Sequence, residues 1–301
     1  MTSRDLTILG NVNVDLIIGP LGDWPERGTE ALVNEMQWRV GGNAGNAAVA
    51  SMALGTDCAV VSTIGHDLAG EWLQQQLAAE QVTWLPHAGP TSVTVAVNHS
   101  DGERTFLTHL GHLATLEWED LSPHIPASRF ALLAGAFLTP ALRRQYPEVL
   151  TYFEHRGTQV ALDMGWPDGG YTIPLRQEVM GWLPQTRHLL INDLEARALT
   201  LETDLQRAAA CLAAHLHPEG TVVIKCGADG VLLRHAGQAN THAAPTVKIS
   251  DTVGAGDIWN AAYLHALSCG REIKAATEFA VQVASLAVST NPRRYLPTQS
   301  F

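Results

Sequence analysis

The sequence predicts a doubly wound α/β fold, in which a mostly parallel sheet carries helices on both faces. Six continuous apolar runs have the length of buried parallel strands: residues 6–10, 58–62, 130–134, 159–163, 188–192 and 221–225. Helical patterns separate these runs, for example over residues 71–80 and 205–215. The chain has 301 residues, of which 46% are hydrophobic, and this suits one large domain.

Polar residues stand at the ends of several predicted strands. Asp163, Asn192 and Lys225 each close an apolar run, and Asn13 and Asp15 are expected to close the first strand. In open α/β sheets, ligands bind at the carboxyl ends of the strands. We therefore expect the binding site along this edge of the sheet.

Two regions interrupt the alternation of strands and helices. Residues 16–40 contain an apolar pair, a Gly/Pro-rich bend and a further stretch, and residues 91–110 are typical of a hairpin with its turn at 99–102. These extra strands could pair into a small sheet outside the main domain. The alternative is an ordinary surface hairpin at residues 91–110.

Charge and cysteine content disfavour several classes of protein. The formal net charge of −11 argues against nucleic acid and against anionic membranes as partners. The four cysteines form no Cys-x-x-Cys pair, and the sequence shows neither a signal-peptide pattern nor an apolar run long enough for a bilayer. We expect a soluble, cytoplasmic protein with free thiols.

The segment DTVGAGD, at residues 251–257, precedes an apolar run that predicts a helix. Gly254, Ala255 and Gly256 are expected at its first turn, where free N–H groups and the helix dipole suit an anion. Asp257 lies beside that position and is a candidate base for a hydroxyl that attacks a phosphate. The alternative is a glycine-rich loop that only begins a helix.

A second glycine-rich segment, VGGNAGNAA at residues 40–48, leads into an Ala-rich helical pattern, and Gly55 and Gly65 follow it. The two segments resemble the signatures of the ribokinase-like (PfkB-type) family of carbohydrate kinases: Gly-Gly-x-small-x-Asn-x-small and Asp-Thr-x-Gly-Ala-Gly-Asp. They occur in the expected order, about two hundred residues apart, and the resemblance covers essentially the whole chain. It implies a single ribokinase-like kinase domain over residues 1–301.

The resemblance also implies substrates, a cofactor and a lid. The substrates would be ATP and a small-molecule sugar, and Mg²⁺ would accompany the ATP. The small sheet, from residues 16–40 and 91–110, would be a lid over the sugar and the interface of a homodimer. Closure of a lid excludes water, which competes with the sugar hydroxyl.

Asn13 and Asp15 are the first candidates for sugar binding. They lie two positions apart, so in an extended segment both side chains point to one side and suit a pair of hydroxyls. The alternative is a turn-forming pair after a strand. By resemblance, Gly42, Asn43 and Asn46 would also contact the sugar. Some ribose-type members carry a lysine at the position of Asn43, and this difference weakens the case for ribose.

Asn192 and Glu195 match an Asn-x-x-Glu pattern of the family. By resemblance, Glu195 would hold Mg²⁺ indirectly through water, as magnesium prefers. The same spacing fits a helix capping box, and both interpretations can hold together. The resemblance places Asn192 at the nucleotide, together with four further residues: Lys225, Gly227, Gly230 and Thr252. The alternative for the Gly227–Gly230 turn is an ordinary hairpin.

The family often binds a monovalent cation with Asp251 and neighbouring residues, through a glycine-containing loop near the end of the domain. Here that stretch is NPRRY at residues 291–295, and Pro292 fixes φ and lacks an N–H, so the loop must run differently. A monovalent-cation requirement is therefore doubtful. Arg293 and Arg294 are interpreted as ordinary surface arginines, and a fixed positive charge from one of them is the alternative.

These observations predict ATP-dependent phosphorylation of a hydroxymethyl group on a sugar or sugar-like molecule. Two alternatives stay open: a nucleoside (adenosine-type) kinase of the same fold, and a non-catalytic sugar-binding regulator. A nicotinamide dehydrogenase and a P-loop enzyme are excluded, because neither Gly-x-Gly-x-x-Gly after the first strand nor Gly-x-x-x-x-Gly-Lys occurs. The particular substrate is not predicted.

Overall fold

A computed structural model describes residues 3–100 and 103–296. The strands are β1 (Arg4–Gly10), β2 (Asn13–Leu21), β3 (Glu35–Gly41), β4 (Cys58–Gly65), β5 (Val82–His87), β6 (Val93–His99), β7 (Arg104–His109), β8 (Ser128–Ala134), β9 (Gln159–Asp163), β10 (His188–Asn192), β11 (Thr221–Lys225), β12 (Val231–His235) and β13 (Gln238–His242). The helices are α1 (Asn43–Ala53), α2 (Leu68–Gln76), α3 (Trp118–Leu121), α4 (Pro140–Arg144), α5 (Tyr146–Glu154), α6 (Ile173–Trp182), α7 (Asp193–Thr200), α8 (Leu205–Ala213), α9 (Ala255–Ser268) and α10 (Ile273–Ser289). None of the described helices combines the length and apolar character needed to cross a membrane.

The main sheet has nine strands in the order β13-β12-β11-β10-β9-β8-β1-β4-β5. The strands from β11 to β5 run parallel, and β12 and β13 add an antiparallel edge. All six predicted strands are present in it. The edge strands β5 and β13 were not predicted, because they lack a continuous buried apolar run.

Two apolar cores cover the two faces of this sheet. One contains buried side chains of α1, α9 and α10, and the other contains buried side chains of α5, α6 and α8. Successive residues of β1 divide between them, since Leu6 and Ile8 belong to the first core and Leu9 belongs to the second. A strand buried on both faces has a continuous apolar sequence. The doubly wound fold is confirmed.

A separate sheet of four strands has the order β3-β2-β6-β7. Its strands come from the two regions that interrupt the helix–strand alternation, and β6 and β7 form the predicted antiparallel hairpin. Residues 101 and 102 of the predicted turn lie outside the described residues. The small sheet is therefore present, and its action as a lid stays a prediction.

Two predicted boundaries are wrong. Asn13 and Asp15 do not close the first strand, because β1 ends at Gly10 and Asn13 begins β2 in the small sheet. Gly10 has φ 143°, and a Cβ there would lie 1.8 Å from the carbonyl oxygen of Ala134, so only glycine allows this turn between the sheets. The helix predicted over residues 71–80 ends at Gln76, where Leu77 becomes extended and buries its side chain.

Candidate active site

The first turn of α9 forms one wall of a cavity of about 560 Å³. Gly254 is the N-cap of the helix and has a left-handed backbone (φ 70°). The first amides of a helix have no acceptor within the helix. Within the described residues, the amides of Gly254, Gly256 and Asp257 donate no hydrogen bond, so they are available to an anion. The Ala255 amide instead donates to the carbonyl oxygen of Thr252 at 3.1 Å, so it is already used.

Asp257 lies on this cavity, although its side chain is buried and the residue is only 6% exposed. Its two carboxylate oxygens accept hydrogen bonds from Asn43 Nδ2 and Asn46 Nδ2, both at 3.0 Å. These donors belong to α1, which packs against α9. The helix pair therefore fixes the plane of the carboxylate beside the free amides of the α9 first turn.

Burial, with a further contribution from the nearby charge of Asp163, raises the pKa of Asp257 to about 8. The charge of Lys225 and the hydrogen bonds from the two asparagines oppose this rise. Glu195 behaves in the same way, since burial and the charge of Asp163 raise its pKa to about 7. A carboxylate whose pKa is close to neutral is suited to accept a proton during a reaction.

A charged cluster that was not predicted lies beside α9, and two of its members, Asp163 and Lys225, line the cavity. Lys225 Nζ donates to Asp163 Oδ2 at 2.8 Å and to Asn260 Oδ1 at 3.1 Å, and Asn260 Nδ2 donates to Asp163 Oδ2 at 2.6 Å. Asp163 closes a predicted strand, and Asn260 follows Asp257 by three positions, one helical turn away. Those two signals could have identified both residues.

Lys225 also lies against the helix end. A Cβ added at Gly256 would lie 3.3 Å from Lys225 Nζ, so the ammonium group is close to the free amide of that glycine. An ammonium charge and backbone amides that meet at one point favour a phosphoryl group.

Asn192 and Glu195 form the capping box that was one interpretation of their spacing. Asn192 Oδ1 accepts from the Glu195 amide at 2.8 Å, and Glu195 Oε2 accepts from the Asn192 amide at 2.9 Å. Both residues line the cavity, as do three other residues predicted at the nucleotide: Gly227, Gly230 and Thr252. The cavity thus brings together every residue that was predicted to contact the nucleotide.

Asn13, Asp15 and Gly42 form a second group, which does not line this cavity. Asn13 Nδ2 donates to Asp15 Oδ1 at 2.8 Å, so the two side chains share one side of the strand as predicted. Burial raises the pKa of Asp15 to about 6. A Cβ on Gly42, whose φ is 80°, would lie 2.5 Å from Asn13 Oδ1. Asn43, the next residue, connects this group to the cavity.

The interpretation of Arg293 as an ordinary surface arginine is wrong. Its side chain is 15% exposed, and Nη2 donates to Asp251 Oδ2 at 2.8 Å and to the carbonyl oxygen of Val253 at 2.5 Å. The half-buried carboxylate of Asp251 and the Val253 carbonyl hold this guanidinium group inward. Arg294, in contrast, is exposed as expected.

The chain is similar to known carbohydrate kinases over nearly its whole length. The family model described as pfkB family carbohydrate kinase matches residues 3–297. The chain is 26% identical to a ribokinase of Bacillus subtilis (strain 168), over 99% of this chain and 97% of the relative. It is 24% identical to a ketohexokinase of Mus musculus, over 94% and 96% of the two chains. The structure of Arabidopsis thaliana ribokinase complexed with ribose and ATP superposes with a TM-score of 0.78 at 23% identity, covering 96% of this chain and 94% of that one.

Proposed function

We propose, because the chain belongs to the pfkB family of carbohydrate kinases, that it transfers the γ-phosphoryl group of ATP to a hydroxymethyl group of a sugar or sugar-like molecule. One observation carries this proposal. The buried carboxylate of Asp257 lies on the cavity in the same helical turn as the free amides of Gly254 and Gly256. A base and an anion site side by side are what transfer of a phosphoryl group to a hydroxyl needs.

Asp257 would act as the base. Its carboxylate takes the proton of the acceptor hydroxyl while the hydroxyl oxygen forms a bond to the γ-phosphorus. The bond between that phosphorus and the bridging oxygen of ADP breaks, and ADP leaves with the electron pair. Asn43 and Asn46 hold the carboxylate in position, and their hydrogen bonds are strongest while it is ionised, before it takes the proton.

Charge on the transferred phosphoryl group would be stabilised from two directions. The amides of Gly254 and Gly256 would donate from the helix end. Lys225 would supply a positive charge, since its Nζ lies 3.3 Å from the position that a Cβ on Gly256 would take. Such preorganised donors act where charge develops, and positioning accounts for much of the rate in phosphoryl transfer.

The nucleotide would occupy the cavity next to Asn192, Gly227, Gly230 and Thr252. Glu195 has the carboxylate chemistry that Mg²⁺ prefers. Its capping-box bond uses Oε2, so Oε1 is the oxygen that would hold the ion, through water. When bound, Mg²⁺ supplies positive charge that neutralises the phosphates of ATP. The Glu195 carboxylate thus suits the predicted role at Mg²⁺.

The acceptor would lie between the cavity and the small sheet. Asn13 and Asp15 on β2 would bind its hydroxyls, with Gly42, Asn43 and Asn46 completing the wall. The four-stranded sheet carries Asn13 and Asp15 itself, so its closure would bring these groups onto the acceptor and exclude water.

A nucleoside acceptor is the second candidate. Trp166 lines the cavity with an exposed ring, and its neighbour Tyr171 packs edge-on against it at a centroid distance of 5.4 Å. An exposed aromatic face of this kind can stack on a nucleobase.

A substrate panel tests the proposal. We expect purified protein with ATP and Mg²⁺ to release ADP when ribose, fructose, ketodeoxygluconate or a related sugar is added, and to release little without an acceptor. Turnover with adenosine alone would assign the nucleoside alternative. Sugar binding by calorimetry without ADP release from any acceptor would contradict the proposal and favour the non-catalytic regulator.

We infer that two copies associate through the small sheet. The strand register aligns Trp38, Leu16, Val95 and Leu107 in one row across its four strands, and Trp38 and Leu107 are 40% and 52% exposed. An exposed apolar sheet face of this kind favours burial against a second copy.

We expect light scattering to show twice the chain mass, and Leu107→Asp to give monomers. Phe106→Asp, on the opposite face, is the control, and a monomeric parent protein would contradict the inference.

A further inference from the structure

Asp251 stands at the start of the loop that leads into the α9 first turn, and it binds three arginines. Oδ2 accepts from Arg39 Nη1 and, at 2.8 Å, from Arg293 Nη2, and Oδ1 accepts from Arg104 Nη2 at 3.0 Å. The Asp251 side chain is only 17% exposed. Burial alone would raise the pKa of Asp251, but the bonds from Arg39 and Val253 and the charge of Arg293 bring it below its ordinary value. The carboxylate is thus held ionised.

Arg293 differs from the other two arginines in what it contacts. Its Nη2 bridges the Asp251 carboxylate and the backbone carbonyl of Val253, at 2.8 and 2.5 Å. Val253 immediately precedes Gly254, whose amide is one of the free donors of the anion site. The guanidinium group therefore acts directly on the backbone that sets the position of that amide.

The segment that carries Arg293 is anchored to the same loop. The amides of Ser250 and Asp251 donate to the carbonyl oxygen of Val288 in α10, at 2.8 and 3.1 Å. The Arg294 amide donates to Thr290 Oγ1 at 2.9 Å. The bonds to Val288 thus join the loop before α9 to the end of α10, and the Arg294 bond fixes the turn that carries Arg293.

The monovalent-cation site that the family resemblance implies does not fit these residues. A carboxylate oxygen of Asp251 and the carbonyl oxygen of Val253 are suitable cation ligands, but both are hydrogen-bonded to Arg293. Three guanidinium groups surround the same carboxylate, and a further cation would be repelled by them. Since arginine is always protonated, its positive charge is permanent there.

We propose that Arg293 is a positioning residue that holds the loop at residues 251–254 in its phosphoryl-binding conformation, in place of a monovalent cation. Phosphotransfer by this chain is then independent of potassium. The proposal rests on the proposed kinase function for its activity readout. It also makes a prediction about ion binding that does not require catalysis.

The first experiment uses the unmodified protein. Turnover on the panel substrate with the highest rate is measured in potassium, sodium and choline chloride at equal ionic strength. We expect equal turnover in the three salts, and a specific requirement for potassium would overturn the proposal. If no panel substrate gives turnover, it is the proposed function that fails, and the thermal measurement described below still tests the role of Arg293.

The second experiment removes the guanidinium group. We expect Arg293→Ser to lower kcat by about 100-fold, the cost of misplacing a reacting group by about 1 Å. Added guanidinium chloride at millimolar concentration is expected to restore part of the loss. Arg294→Ser, an exposed neighbour, is the matched control and should keep normal turnover. A serine variant with normal kcat, or a loss that guanidinium ion leaves unchanged, would refute the positioning role.

Thermal unfolding gives a readout apart from activity. Replacing choline with potassium should leave the Tm of the unmodified protein unchanged. It should raise the Tm of Arg293→Ser, in which the carbonyl oxygen of Val253 loses its side-chain donor and Asp251 Oδ2 keeps only Arg39. A potassium-specific rise in the unmodified protein contradicts the proposal. If the serine variant does not fold, Arg293→Lys keeps one cation at the site and should retain more turnover than Arg293→Met; equal turnover of these two variants would also contradict it.

Discussion

Asp257→Asn is expected to lower kcat by at least about 100-fold, since an amide cannot accept the hydroxyl proton and general-base catalysis contributes roughly 10²–10⁴-fold. Binding of ATP should change little, because the substitution alters neither the Gly254 and Gly256 amides nor Lys225. The shape of the side chain is also conserved, and one of the hydrogen bonds from Asn43 and Asn46 can still form. Steady-state ADP release measures kcat, and calorimetry measures nucleotide binding.

The matched control for this experiment is Asp204→Asn. Asp204 is also an aspartate at the start of a helix, where it caps α8, but it is exposed and does not line the cavity. Asparagine caps helices as well as aspartate does, so this variant should keep normal turnover. Normal turnover of Asp257→Asn would remove Asp257 from the role of base and leave the anion site as the main catalytic feature.

Lys225→Met is expected to lower the free energy of unfolding by about 3 kcal/mol, the cost of leaving one member of a buried ion pair without its partner. The side chains of Lys225 and Asp163 are only 13% and 6% exposed, so solvent screens their interaction weakly. Urea denaturation, compared between variant and parent at one pH, measures the change. Loss of the Lys225 charge should also weaken ATP binding.

The same substitution should change the pH dependence of the reaction. In the parent protein, kcat/KM should decrease as the pH falls through the raised pKa of Asp257, because the base must be deprotonated to act. The charge of Lys225 opposes that rise in pKa. Its removal therefore moves the pKa of Asp257 upward, and the rising limb of the profile should shift to higher pH.

Combining Lys225→Met with Asp163→Asn separates the effect of Lys225 on stability from its effect on ATP binding. The double variant contains neither charge of the ion pair, so most of the lost stability should return, while ATP binding stays weak. Full stability of the single Lys225→Met variant would contradict the buried ion pair. A single variant whose pH profile equals that of the parent would contradict the electrostatic influence of Lys225 on Asp257.

The free amides and the carboxylate at the start of α9 were predictable because they lie in nearly consecutive residues. Gly254, Gly256 and Asp257 share one turn at the start of a helix, and an apolar run marks that helix. The capping box of Asn192 and Glu195 is local in the same sense. For such features, the spacing along the chain is itself the geometry.

Features formed by distant residues were predicted less well. Asn13 and Asp15 were assigned to the first strand, since nothing in the local pattern shows that the chain moves from one sheet to the other at Gly10. Asp163 and Asn260 were not recognised as partners of Lys225, because they are 62 and 35 positions away from it. Arg293 was interpreted as a surface residue, since nothing near it in the sequence indicates that Asp251 lies beside it.

The amino-acid sequence by itself determined the order of strands and helices and the place of the glycine-rich turn before α9, because hydrophobic period and glycine spacing act over a few residues. Only the tertiary structure decided which charges share a site. Asp251 meets Arg39, Arg104 and Arg293 across 212, 147 and 42 positions of the chain. Contacts of that range depend on how the two sheets and the end of α10 pack, and the pairing of buried charges follows from this packing.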